Sequence, residues 1–168
     1  MLCKLFSLIA SGSLCASAIA EPLSLGASLP SVSVADQTGS IISLADYQNE
    51  PWLLVYFYPK ADTPGCTKQA CSLRDSFAEL TDKGVTVIGV SHNSVEEQKA
   101  FQEKYKLPFT LLADEENKVI HAFGVPQFPV VGLAKRQAYL FKSGTLTWRD
   151  LKASTSQQAA DIMAAIQK

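Results

Sequence analysis

Two cysteines five positions apart, Cys66 and Cys71, offer the clearest chemistry in this chain. Pro59, Asp62, Thr63, Pro64 and Gly65 come just before Cys66, a set of residues that ends strands and turns the backbone. Beyond it, Ala70, Leu73, Phe77 and Leu80 recur at spacings of three and four, the stripe of a helix with one buried face. Pro64 suits the first turn of that helix. Cys66 therefore falls at, or just inside, a helix N-terminus, under unpartnered backbone N–H groups and the positive end of the dipole. The thiolate is the nucleophilic form of cysteine, and an ordinary thiol ionises only near pH ~8.5. A helix dipole supplies about 0.3–1 kcal/mol, while one pKa unit is about 1.4 kcal/mol. A cation from elsewhere in the chain must assist. The plain alternative for Cys66 is a buried, inert thiol.

Cys71 sits where it can react with Cys66 but not where it can bond to it. Five helical residues rise about 7.5 Å and turn about 140°, which separates the Cα atoms by roughly 8–9 Å. A disulfide needs them within about 7 Å. Joining the two sulfurs requires the first turns of the helix to unwind, so the spacing predicts a redox cycle with a local unfolding step. A permanent structural bridge is the competing reading in an oxidising compartment, and the helix it would have to break argues against it.

The elements that must hold these residues alternate. Residues 52–58 form an apolar, aromatic-rich run between Pro51 and Pro59, read as a buried strand that delivers the chain to Cys66. The helix after it runs from about Thr67 to Lys83, with Gly84 as its stop. Further strands are expected at 31–35, 41–44, 85–90, 109–113, 138–141 and 145–148, with a brief helical turn at 43–46. Helices are expected at 94–106, opened by a Ser94–Glu97 capping box, at 116–123, and at 154–168. In the last, Ala160, Ile162, Met163 and Ile166 are the candidate buried positions. Strands and helices in this order give an α/β fold with a central mixed sheet flanked by helices.

A chain of 168 residues with a formal net charge of −1 has room for one ordinary domain. It has no Lys/Arg stripe for nucleic acid, no zinc-type cysteine spacing and no phosphate-binding glycine loop. His92 and His121 lack ligand spacing, so no metal is expected. Residues 1–20 differ in kind: Lys4 is the one charge, an apolar stretch follows, and Ala18 and Ala20 fit a secretory cleavage site. The reading is a signal peptide at 1–20 and one domain at 21–168, exported to the periplasm, with no stable membrane association once the leader is removed. An uncleaved anchor is disfavoured because the apolar run is short and broken by Gly12 and serines. Leader removal takes Cys3 and Cys15 with it and leaves only Cys66 and Cys71.

Pro59, Thr63 and Cys66 match the Pro-x-x-x-Thr-x-x-Cys signature of the peroxiredoxins. The run YFYPKADTPGCTKQACSLRD resembles the bacterioferritin-comigratory, or Q-type, branch of that family, and the likeness covers nearly all of the chain after the leader. It implies a thioredoxin-like fold and a cofactor-free thiol peroxidase acting on hydrogen peroxide and organic hydroperoxides. It further implies a sulfenic acid at Cys66 and an intramolecular disulfide with Cys71. A thioredoxin-like dithiol or small thiol would be the reductant, and the chain a monomer or weak dimer. Thr63 would place its hydroxyl beside the sulfur, with a plain helix N-cap as the alternative. Pro59 would shape the loop and keep water away, with a strand stop as the alternative.

Arg136 in KRQAYLF matches the family's arginine ahead of a late strand, which makes it the missing cation. A solvated strand-end charge is the plain alternative for Arg136, and its neighbour Lys135 is the weaker candidate. Arg74 and Asp75 read as a surface polar pair. Gln69 departs from the branch, which has Glu there, so a charge that could pair with the arginine is missing. Leu73, in place of Phe, and Phe141-Lys142, in place of Ile-Asp, depart as well. A thiol–disulfide oxidoreductase acting on proteins is the alternative function, although the C-x-x-C motif of that class is absent.

Overall fold

The computed structural model describes residues 21–167. The expected signal peptide at 1–20, with Cys3 and Cys15, lies outside the described residues. A hairpin comes first, β1 (Ser33–Asp36) with β2 (Ile41–Ser43), followed by a 3₁₀ turn at Leu44–Tyr47. Then come β3 (Trp52–Phe57), α1 (Pro64–Asp75), α2 (Phe77–Asp82), β4 (Val85–Ser91) and α3 (Val95–Tyr105). The chain closes with β5 (Thr110–Ala113), α4 (Lys118–Ala122), the hairpin β6 (Gln137–Lys142) and β7 (Thr145–Asp150), and α5 (Gln158–Ile166).

The seven strands form one sheet in the order β2-β1-β5-β4-β3-β6-β7. β3 lies inside it, parallel to β4 and antiparallel to β6, so the sheet is mixed as the strand pattern implied. Burial on both faces explains the unbroken apolar run of β3. Leu54, Tyr56 and Tyr58 face a core closed by α1, α2, α3 and α5, through Ala70, Leu73, Leu80, Phe101 and Ile162. Leu53, Val55 and Phe57 face the opposite core with Val119 and Ile120 of α4.

Several boundaries differ from the pattern expectation, each for a local reason. The helix after Cys66's loop starts at Pro64 rather than Thr67, and it breaks at Ser76, whose φ of −102° and ψ of 8° leave the helical region. α4 starts at Lys118 rather than 116, because the Asp114 carboxylate accepts from the Val119 and Ile120 N–H groups at 3.1 and 2.8 Å. α5 starts at Gln158 rather than 154, since the Ser154 hydroxyl first closes a turn by accepting from the Ser156 and Gln157 N–H groups. In α5 Ile162 is buried as expected, but Ala160 is exposed and Ala159 takes its place in the core. The Ser94–Glu97 capping box is present at α3.

Candidate active site

The site forms where β3 and β4 end side by side. Phe57, last in β3, pairs with Val90 of β4 on one flank and with Gln137, first in β6, on the other. Crevices beyond the carboxyl ends of parallel strands are the usual ligand sites of α/β sheets. The chain leaving β3 turns through residues 58–63 into α1, and Cys66 is the third residue of that helix. Thr67 N–H bonds to Thr63 C=O at 2.8 Å, so the N–H groups of Gly65 and Cys66 stand at the open end of the helix. Pro64 has no N–H to lose there.

Arg136 precedes Gln137, and the β3–β6 register therefore carries it to the mouth of α1. Its Nη2 donates to Cys66 Sγ at 3.3 Å. A guanidinium donor keeps its charge at all working pH values and favours an anionic acceptor. Gly65 makes room for it: a Cβ at that position would lie 3.3 Å from Arg136 Nη2. Lys135 is exposed and sits over the Phe128 ring at 5.9 Å, away from the sulfur. Of the two candidate cations, only Arg136 is brought to the cysteine.

Cys66 is buried, with 2% of its surface exposed, and Cys71 is half-buried; both are free thiols. They lie in one unbroken helix, as the spacing required. Thr63 holds the N-cap position but its side chain does not cap; the hydroxyl donates to the Lys60 carbonyl at 2.9 Å. That bond ties the turn together and leaves the Thr63 oxygen's lone pairs free to accept. Pro59 is half-buried between β3 and α1, where it ends the strand.

Several buried polar residues support the site, and of these only Gln69 was marked out by the sequence, as a departure from the branch. Gln69 is fully buried and accepts through Oε1 from Arg136 Nη1, while its Nε2 donates to Gln158 Oε1. The position where a carboxylate was missed thus still anchors the arginine, by a neutral amide. Asn93, after β4, accepts from the Ala61 N–H at 2.8 Å and from the Ser91 hydroxyl at 2.9 Å. Its Nδ2 donates to Glu97 at 2.8 Å. A buried amide at the end of β4 thereby pins the loop that presents Cys66. The network continues inward through Ser91 and Gln98 to Tyr58, whose hydroxyl donates to Gln98 Oε1 at 2.5 Å. Burial pushes the Tyr58 phenol well above its ordinary range, and its hydrogen bonds to Ser91 and Gln98 offset only part of that. Distant polar partners of this kind have no periodic signature in a sequence.

On the outer side, Asp62 takes a left-handed backbone conformation with φ 57°. Its carboxylate accepts from Lys104 and from the Tyr105 hydroxyl, the latter at 2.6 Å. Arg74 pairs with Asp75 at 2.7 Å and also donates to the Tyr105 carbonyl at 2.8 Å, so it braces the far end of α1 against α3. His92 is exposed, with Asn117 Oδ1 at 3.2 Å, and takes no part in the site.

A mixed sheet carrying a cysteine at a helix mouth on its active edge defines the thioredoxin-like class. The crystal structure of peroxidoxin BcpB from Mycobacterium tuberculosis superposes with a TM-score of 0.79 at 27% identity, covering 85% of this chain and 96% of that one. The AhpC/TSA family profile matches residues 25–149. Peroxiredoxin Q of Sedum lineare is 46% identical over 122 residues, 72% of this chain and 65% of that protein. Peroxiredoxin Bcp of Escherichia coli strain K12 is 50% identical over 105 residues, 62% of this chain and 67% of that protein. The chain belongs to the AhpC/TSA family, in its peroxiredoxin Q and Bcp branch. The aligned stretch spans only 54–65% of the length of the plant relatives. Those relatives, from Sedum, Oryza and Suaeda among others, are designated chloroplastic. That designation overturns the periplasmic location expected from residues 1–20.

Proposed function

We propose that this chain is a thiol-dependent peroxidase with Cys66 as its nucleophile. The carrying observation is the Arg136 Nη2 donor 3.3 Å from Cys66 Sγ at the open end of α1. The sulfur anion attacks one peroxide oxygen; the S–O bond forms as the O–O bond breaks. The leaving oxygen takes up a proton and departs as water or an alcohol. Charge building on that oxygen meets Arg136 and the Gly65 and Cys66 N–H groups, donors held in place before the reaction, while the Thr63 oxygen, its proton given to the Lys60 carbonyl, accepts from the O–H of the incoming peroxide. Pro59 narrows the approach. Cys66 is left as a sulfenic acid.

Cys71 then attacks the sulfenic sulfur, the disulfide forms and water leaves. The first turns of α1 unwind for this step, because an intact helix holds the two Cα atoms about 8–9 Å apart. An external dithiol of thioredoxin type restores two thiols and becomes a disulfide itself. The burial of Cys66 supports a small substrate: a peroxide reaches a sulfur that is 2% exposed, whereas a protein disulfide does not.

We also propose that residues 1–20, serine-bearing and free of acidic residues, are a leader separate from the domain at 21–168. Its destination would be the plastid of the plant relatives. Six large apolar side chains are exposed among the described residues, three of them at Phe128, Val130 and Val131 and the others scattered singly. That distribution suits a monomer or weak dimer. The test of the activity is steady turnover of hydrogen peroxide with a dithiol reductant. Cys66→Ser abolishes it, and a Cys66→Ser protein with full turnover would end the proposal.

A further inference from the structure

We propose that Gln158, the first residue of α5, is a positioning residue for the Cys66–Arg136 pair and acts through the side-chain amide of Gln69. The inference rests on reading Cys66 as the reactive sulfur. Arg136 has two side-chain partners, Cys66 and Gln69, and among the described residues no carboxylate pairs with it. Its direction is therefore set by one amide oxygen.

An amide has two unlike ends, and nothing in its shape tells them apart. A guanidinium only donates, so Gln69 must face Arg136 with its oxygen. Gln69 is fully buried, so water does not make the choice. Arg136 fixes the oxygen end, and the atom that holds the other end in place is Gln158 Oε1, which accepts from Gln69 Nε2. Remove this acceptor and the Gln69 NH₂ group is left buried without a partner. Turning the amide around gives it no relief, because a guanidinium cannot accept; the side chain instead shifts to find an acceptor for its NH₂, and the oxygen that aims Arg136 at the sulfur moves with it.

Gln158 has a cost of its own. It is 1% exposed, and its Nε2 has no hydrogen-bond partner. Buried polar groups are nearly always paired, and an apolar side chain of similar size would spare this orphan. The residue makes sense at this position for its oxygen. The link also passes through the segment between Cys66 and Cys71, so the unwinding of α1 that joins the sulfurs also breaks it.

Alkylation of the reduced full-length chain by iodoacetamide reads the Cys66 sulfur without peroxide. A chain that alkylates normally yet never consumes peroxide would refute the peroxidase reading and leave this proposal to be judged separately. Trypsin cuts after Lys60, Lys68 and Arg74, so Cys66 and Cys71 are counted on different peptides. Gln158→Met is expected to slow alkylation of Cys66 roughly tenfold at neutral pH and that of Cys71 less than about twofold. Gln158→Glu keeps an acceptor oxygen and is expected to restore the rate to within about threefold, a carboxylate being well placed at a helix start. In a Gln69→Met background, Gln158→Met should add nothing. A wild-type rate in Gln158→Met, or an equal further loss in the Gln69→Met background, overturns the proposal. A second measurement covers a Gln158→Met protein that does not fold. In the unsubstituted chain, nuclear Overhauser contacts should join the Gln69 NH₂ protons to the Gln158 side chain; contacts to Arg136 instead overturn it.

Discussion

Gln137 lies opposite Phe57 in the antiparallel β3–β6 pair. That register sets Arg136, one residue before Gln137, beside the turn that leaves β3 for Cys66. A strand slipped by one residue turns every side chain to the other face of a sheet, so the site depends on this pairing as much as on the residues that line it.

Arg136 is expected to stabilise the charge that moves from sulfur to oxygen. Arg136→Met should lower the second-order rate of peroxide reduction about 10²–10³-fold, the usual loss for one such donor. Arg136→Lys should fall between, since one ammonium cannot serve both Gln69 and Cys66 in the same fork. Stopped-flow oxidation of the reduced protein measures all three.

Gly65 is small so that Arg136 can come close. Gly65→Ala sets a Cβ 3.3 Å from Arg136 Nη2, and the guanidinium must yield by a few tenths of an ångström. Gly65 has no left-handed φ to lose, and alanine favours a helix by roughly 1 kcal/mol over glycine in a helix interior. The expected outcome is a protein no less stable to heat, with a peroxide rate lowered roughly three- to tenfold. Melting and rate, measured on the same sample, separate the two effects.

Glu97 links the site to pH. Hydrogen bonds donated by Asn93 and by the Ser94 N–H hold its carboxyl below the ordinary value of 4.5. A depressed acid contributes stability above its unfolded pKa and loses it as pH falls through the folded one. The stability at risk is that of Asn93, and through Asn93 that of the Cys66 loop at the Ala61 N–H. Acidification below about pH 4.5 should therefore loosen the loop, and Glu97→Gln should flatten that part of the stability–pH curve. Urea melts from pH 6 down to pH ~3 measure it.

Much of the fold was open to inspection in the residues themselves. The apolar run at 52–58 between two prolines, the capping box at Ser94 and the turn signal at 142–144 each fix an element by local chemistry. So does Pro64 before Cys66, because a helix start is decided within one turn. What stayed hidden involves partners far apart in the chain. Nothing near Gln69 reveals that Gln158 will meet it 89 residues later, nor does Asn93 announce its bond to Ala61 32 residues earlier. The start of α5 was misplaced because a serine hydroxyl at position 154 builds a turn as readily as it caps a helix.

The proposed cycle turns on which sulfur first takes oxygen and which then displaces it. Intact mass of the reduced protein, before and after one equivalent of hydrogen peroxide, reads this directly. The unsubstituted chain should lose two hydrogens, and Cys71→Ser should gain one oxygen on the peptide that holds Cys66. An oxygen found on Cys71 while Cys66 stays reduced, or a Cys66→Ser chain that still removes the peroxide, would contradict it.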